Sequence, residues 1–64
     1  MPTKGRTLRV ERTRVGVKQF QLADRMGVHR NSVKRYEDLG EVPLEIVQRY
    51  RAALASFMDS EATA

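Results

Sequence analysis

The chain has 64 residues with 12 Lys or Arg and 8 Asp or Glu, which gives a formal net charge of +4. This length allows one domain with a thin core, and it excludes separate cofactor-binding and ligand-sensing domains. The sequence has no Cys and one His, so we expect no disulfide, no metal site and no cofactor.

The sequence pattern predicts an all-α domain of four helices, with a fifth helix as the alternative. The first helix covers residues 7–14, and Gly16 ends it. The second covers residues 19–26, and Gly27 follows it at the position where a helix end favours a left-handed residue. The third covers residues 30–37.

The fourth helix is strongly amphipathic. It begins near Pro43, a residue that suits a first helical turn. Its apolar residues up to Met58 fall within an arc of about 140° when successive residues are about 100° apart. We expect residues 7–58 to form the domain, residues 1–6 to form a flexible basic arm and residues 59–64 to form a disordered tail.

Positive charge is concentrated in the first part of the chain. Residues 1–36 hold ten Lys or Arg and two acidic residues, whereas residues 37–64 hold two Arg and six acidic residues. A basic half on a small domain favours a polyanionic partner such as nucleic acid. A solvated surface with a chance imbalance explains the charge alone equally well.

The third helix carries a more specific signal. Its polar side presents Arg30, Asn31, Lys34 and Arg35. At about 100° per residue, Val33 and Tyr36 fall on the opposite side, and no acidic residue interrupts the polar one. Arg pairs with guanine and Asn with adenine through two hydrogen bonds each, so this side fits the reading of bases in the major groove. The alternative is a solvated basic face.

Residues 7–50 resemble the lambda repressor/Cro-like family of small helical DNA-binding domains. The resemblance lies in the spacing of Arg12, Gln19, Leu22, Ala23, Gly27, Val28, Ser32, Val33, Glu37 and Pro43. It implies a helix-turn-helix whose second helix, the third of the chain, enters the major groove. It also implies that Arg12 and Glu37 form a structural bridge between the first and third helices.

The same resemblance assigns roles to individual side chains. The base-reading positions match Arg30, Asn31 and Arg35, with Lys34 as an outer contact. Gln19 holds a phosphate, and His29 either contacts a base or phosphate or is only a neighbour of the helix N-cap. The loop after the third helix, which often contacts phosphate in this family, is acidic here. Further backbone contacts are therefore assigned to basic residues for which simple solvation is the alternative: Lys4, Arg6, Arg14 and Lys18.

These features predict a stand-alone, sequence-specific regulator of transcription, such as a small phage-type repressor that occludes a promoter. One module of this size has modest specificity, so we expect a homodimer on double-stranded DNA with two half-sites. The dimer surface is assigned to the distal end of the last helix, at Leu54, Phe57 and Met58. The alternative is that these three residues complete the monomer core.

Other classes of protein have less support. One alternative is a protein-interaction module such as an antitoxin-like partner. Another is a MerR- or excisionase-type domain, because residues 27–40 resemble the start of a MerR-type winged helix, although the last helix leaves no hairpin for a wing. An enzyme is not expected, since His29 has no evident acid–base partner. No apolar run approaches the roughly 20 residues of a membrane span, so we expect a cytoplasmic, nucleoid-associated protein with no membrane or small-molecule partner.

Overall fold

The computed structural model describes the backbone of residues 1–62 and the side chains of residues 1–58. Within these residues the chain forms four α-helices: α1 (Gly5–Val15), α2 (Gln19–Met26), α3 (Arg30–Asp38) and α4 (Leu44–Ala62). An isolated antiparallel bridge joins Thr3 to Val42. The prediction of a small all-α protein is confirmed.

Glycines end the first two helices, as predicted. Gly16 follows α1 with a φ of 83°, and Gly27 follows α2 with a φ of 72°. This left-handed region suits glycine because a Cβ atom would be crowded there. The N–H of each glycine donates to carbonyls of the last turn, so short turns join α1 to α2 and α2 to α3.

The start of α1 differs from the prediction. The helix begins at Gly5, two residues before the predicted start. The Gly5 N–H donates to the carbonyl of Leu39 (2.9 Å), and the Val42 N–H donates to the carbonyl of Thr3 (2.8 Å). These hydrogen bonds tie part of the segment predicted as a flexible arm to the loop before α4.

The end of α4 also differs from the prediction. The helix continues to Ala62, whereas the domain was predicted to end at residue 58. Four residues of the predicted tail therefore have a helical backbone. The last part of that tail, residues 63–64, lies outside the described residues.

The core lies between two pairs of helices, because α3 and α4 each pack against both α1 and α2. Its buried apolar residues are Leu8, Val17, Leu22, Ala23, Met26, Val33, Val42, Val47, Tyr50 and Leu54. The apolar face predicted for the fourth helix therefore turns inward, except at Met58, which is 55% exposed. Within residues 1–62, no helix is both long enough and apolar enough to cross a membrane.

Candidate nucleic-acid interface

His29 is the N-cap of α3. Its backbone is extended, and its Nδ1 atom accepts a hydrogen bond from the backbone N–H of Asn31 (3.1 Å). In the neutral ring the proton is then on Nε2, and the side chain is exposed. His29 is thus the cap itself rather than its neighbour, and its contact with a base or phosphate stays a prediction.

The outer side of α3 is exposed and cationic. It carries the four predicted base-reading residues, Arg30, Asn31, Lys34 and Arg35. None of these side chains takes part in a hydrogen bond or ion pair within residues 1–58. The inner side is held by Val33, which is fully buried, and by Glu37. Three positive charges and one amide are therefore available to a ligand on one side of a fixed helix, beside the exposed carboxylate of Asp38 in its last turn.

The Glu37 carboxylate joins α3 to the other three helices. Arg12 of α1 donates to Oε2 through Nε (2.7 Å) and to Oε1 through Nη2 (3.0 Å). Gln19 of α2 donates to Oε1 through Nε2 (3.0 Å). The Tyr50 hydroxyl of α4 lies 2.7 Å from Oε2 and 3.0 Å from the carbonyl of Leu8. The orientation of α3 therefore depends on one buried carboxylate.

The predicted bridge between Arg12 and Glu37 is confirmed. The two side chains are 12% and 2% exposed, respectively. Arg12 also donates through Nη1 to the carbonyl of Val17 (2.8 Å), so its donors are used inside the protein. The sequence analysis missed Tyr50 because it counted this residue as part of the apolar arc of α4. A tyrosine within an apolar arc was the available signal, since its buried hydroxyl needs a partner.

The same hydrogen bonds set the protonation of the site. Burial alone would raise the pKa of the Glu37 carboxyl, but hydrogen bonds from Arg12, Tyr50 and Gln19 outweigh it and lower that pKa below its usual value. The hydrogen bond to Glu37 raises the pKa of Arg12. Burial, together with the carboxylate, raises the pKa of Tyr50. At neutral pH the site therefore holds an ionised Glu37 and a neutral Tyr50.

Gln19 lies at the first position of α2, as predicted, but its side chain is partly engaged. One amide hydrogen of Gln19 is used by Glu37 (3.0 Å). A side-chain contact from Gln19 to phosphate would have to use its second amide hydrogen. The phosphate role of Gln19 stays a prediction, and the structure adds a structural role.

A groove between α1, α2 and α3 brings together residues that the sequence analysis treated separately. It is lined by Arg9, Arg12, Gln19, Phe20, Arg30, Lys34, Glu37 and Asp38. Arg9 and Phe20 were not among the predicted site residues, and Phe20 is 56% exposed. A signal for Arg9 was available, because it lies three residues before Arg12, which was predicted to face α3, and residues three apart share one side of a helix.

The four basic residues assigned to backbone contacts are all exposed. Lys4 and Lys18 occupy the N-cap positions of α1 and α2. Arg6 and Arg14 belong to a surface strip on α1, here called the α1 strip, formed by Arg6, Arg9, Val10, Thr13 and Arg14. None of the four lines the groove beside α3. Their contact with DNA stays a prediction.

The predicted dimer surface is only partly exposed. Leu54 is 5% exposed and belongs to the core, as the alternative predicted, so it offers little area to a second chain, and its role in a dimer contact stays a prediction. Phe57 packs against the core, and the guanidinium of Arg25 lies 4.3 Å from its ring centre. Met58, by contrast, is 55% exposed. Of the three residues, Met58 offers the most surface.

The described residues hold no group of three or more His, Cys, Asp or Glu that could bind a metal ion. Comparisons with protein-family models, with curated proteins and with solved structures found no match. What the protein binds is therefore inferred from the side chains of α3 and of the groove beside it.

Proposed function

We propose that the protein is a sequence-specific DNA-binding regulator of transcription with a lambda repressor/Cro-like helix-turn-helix. In this proposal α2, the turn at Gly27 and α3 form the motif, and α3 lies in the major groove of double-stranded DNA. The observation that carries the proposal is the exposed outer side of α3, where three cations and Asn31 stand against one acidic residue, Asp38 in the last turn. The inner side of the helix is fixed by Val33 and Glu37.

The side chains on α3 match the chemistry of base edges. Arg30 and Arg35 each fit the O6 and N7 atoms of guanine through two hydrogen bonds, and Asn31 fits the N6 and N7 atoms of adenine. Lys34, the outer contact, adds a cation beside them. Because these side chains have no partner within residues 1–58, binding to DNA would break no ion pair that the fold has already formed.

The described residues form one core, and no ligand-sensing unit is part of this proposal. In it, control acts through the amount of protein or through dimerisation. Two copies on half-sites about 34 Å apart, one helical turn of DNA, would bind a promoter and block it. In this scheme Met58 and the exposed edge of Phe57 form the contact between copies, and the protein has no catalytic role.

A selection from a pool of random duplexes tests the proposal. The wild-type protein is expected to enrich a short motif, and a two-fold repeat in that motif would show the dimer. The Arg30→Ala/Arg35→Ala variant is expected to enrich no motif while keeping the helical circular-dichroism spectrum and the melting temperature of the wild type. Enrichment of the same motif by this variant, or of none by the wild type, would overturn the proposal.

A second candidate, a protein-interaction module such as an antitoxin-like partner, is favoured by one observation. An apolar groove between α1 and α4 is lined by Val15, Leu54 and Met58, with charged residues at its rim. A partner helix would fit such a groove. The same duplex selection distinguishes the two candidates, because this one predicts no enriched motif. A MerR- or excisionase-type domain has less support, since α4 follows α3 without a hairpin in residues 1–62.

A further inference from the structure

Arg9 enters the groove beside α3 from a different helix. The groove is bordered by α1, α2 and α3, and the cations Arg9, Arg30 and Lys34 contribute to its lining. Arg9 is exposed, and its side chain has no hydrogen bond or ion pair within residues 1–58. The positive side of α3 therefore continues across the groove onto α1.

The balance of charge in the groove is positive. The charge of Arg12 is neutralised by Glu37 at 2.7 Å, so neither contributes net charge. Three cations then remain against one carboxylate, that of Asp38. A groove with this excess, open to solvent and next to an exposed cationic helix, fits a singly charged anion such as a phosphodiester.

The α1 strip extends this positive surface away from the groove. Arg6, Arg9 and Arg14 are exposed on it, and it contains no acidic residue. The loop between α3 and α4, which hydrogen bonds tie to the start of α1, carries the exposed Glu41. The net positive charge beside α3 therefore comes from the arginines of α1.

We propose that the groove between α1 and α3 binds one phosphate of the DNA backbone, with Arg9 as its principal cation, and that the DNA strand runs along the α1 strip. This inference rests on the proposed function, because it assumes that α3 lies in the major groove. It assigns the backbone contact to a residue outside the helix-turn-helix.

The salt dependence of binding to a mixed-sequence duplex tests the inference, because this dependence counts neutralised phosphates without knowledge of the preferred sequence. The Arg9→Ala variant is expected to reduce the slope of log K against log salt by about one and to weaken binding at low salt. The control is Arg49→Ala, which removes one Arg from α4, where Arg49 lies beside α2 and away from this groove. Its slope is expected to equal that of the wild type.

A second measurement locates the phosphate. Replacing single phosphates of the selected duplex with neutral methylphosphonates is expected to reveal one position that weakens the wild type and leaves Arg9→Ala unaffected. An unchanged slope for Arg9→Ala, or equal sensitivity of both proteins at every position, would overturn the inference. Either result would leave the proposed function standing, provided that the wild type enriches a motif and the Arg30→Ala/Arg35→Ala variant does not. A wild type that binds no duplex would overturn both.

Discussion

At the scale of single residues, Glu37 shows how one buried charge can fix the position of a helix. Its carboxylate accepts hydrogen bonds from Arg12, Gln19 and Tyr50, so each of the other helices contributes a donor. Hydrogen bonds to a charged acceptor are shorter and stronger than neutral ones. Removing one partner of a buried charged pair costs much stability, because the other charge is left buried without a partner. Side chains of the other three helices therefore determine where the cationic side of α3 lies.

Replacement of Glu37 by Gln should destabilise the protein by about 3 kcal/mol at pH 7, since the variant leaves the charge of Arg12 buried without its partner. Because the pKa of Glu37 in the folded protein lies below the usual 4.5, its contribution is fully present above that pH and is lost as the pH falls through the folded-state value. The difference between variant and wild type should therefore narrow below pH 4.5. Urea unfolding at a series of pH values measures it, and a constant difference across that range would contradict the account.

Removal of the Tyr50 hydroxyl provides an independent test of the same site. The Tyr50→Phe variant should lose about 2 kcal/mol of unfolding free energy, because it removes a buried hydrogen bond to a charged group. Tyr36→Phe is the matched control, since the Tyr36 hydroxyl has no hydrogen bond within residues 1–58, and its effect should stay below about 0.5 kcal/mol. Thermal or urea unfolding measures both variants. Equal losses of unfolding free energy would mean that the hydrogen bonds of the Tyr50 hydroxyl do not stabilise the fold.

The sequence predicted some of these residues and missed others for physical reasons. The pair of Arg12 and Glu37 was predictable because the family resemblance fixes both positions by spacing. For Tyr50 the sequence indicates only that a buried hydroxyl needs a partner, and for Arg9 only that it shares a side of α1 with Arg12. Which side chains they meet depends on which helices pack together. A helical wheel shows which face of one helix is apolar, but it does not show which side chain of a neighbouring helix meets that face.

At the scale of elements, glycines mark the ends of α1 and α2, whereas the end of α4 at Ala62 was not predicted. The predicted and observed limits of α2 agree, and Gly27 follows it in the left-handed conformation. The start of α1 has no such signal, because glycine is a poor helix former. Gly5 begins the helix through tertiary contact: its N–H reaches the carbonyl of Leu39 at the end of α3. The junction of α1 with α3 thus requires a residue without a side chain.

A pair of glycine-to-alanine variants tests this junction. A Cβ atom on Gly5 would overlap the carbonyl oxygens of Tyr36 and Glu37, so Gly5→Ala should destabilise the protein by about 2 kcal/mol or more despite the better helix propensity of alanine. Gly40 has open space around the corresponding position, and Gly40→Ala should be neutral or stabilising by up to about 1 kcal/mol. Thermal unfolding compares them. A Gly5→Ala variant as stable as Gly40→Ala would contradict the close packing of α1 on α3.

At the scale of the whole molecule, the fold separates surfaces of different character. The exposed side of α3 and the α1 strip are cationic, and the loop before α4 is acidic. Because α4 packs on α1 and α2, it leaves the outer side of α3 uncovered. The sequence predicted the overall split of charge between the two parts of the chain. It did not reveal that the groove connects two cationic surfaces, since this depends on the packing of α1 against α3.

The proposed contact between copies is tested by two lysine variants of α4. Met58→Lys should weaken the binding of a second copy to a duplex with two half-sites by about tenfold or more, because it places a charge in the proposed contact. Leu44→Lys is the control, since Leu44 is 70% exposed at the opposite end of the same helix. Sedimentation with the duplex gives the stoichiometry. If both variants bind the second copy equally well, Met58 is not part of the contact between copies.

The most direct test of the central claim compares the affinities of wild type and Arg30→Ala/Arg35→Ala for the selected duplex and for a scrambled duplex of the same length. Each lost pair of hydrogen bonds to guanine is worth about 1–3 kcal/mol of discrimination between bases. The ratio of the affinities for the selected and the scrambled duplex should therefore be at least tenfold smaller for the variant than for the wild type. Its affinity for the scrambled duplex should fall by a smaller factor, since backbone contacts elsewhere remain. A variant that keeps the wild-type preference would contradict the claim that the outer side of α3 reads DNA sequence.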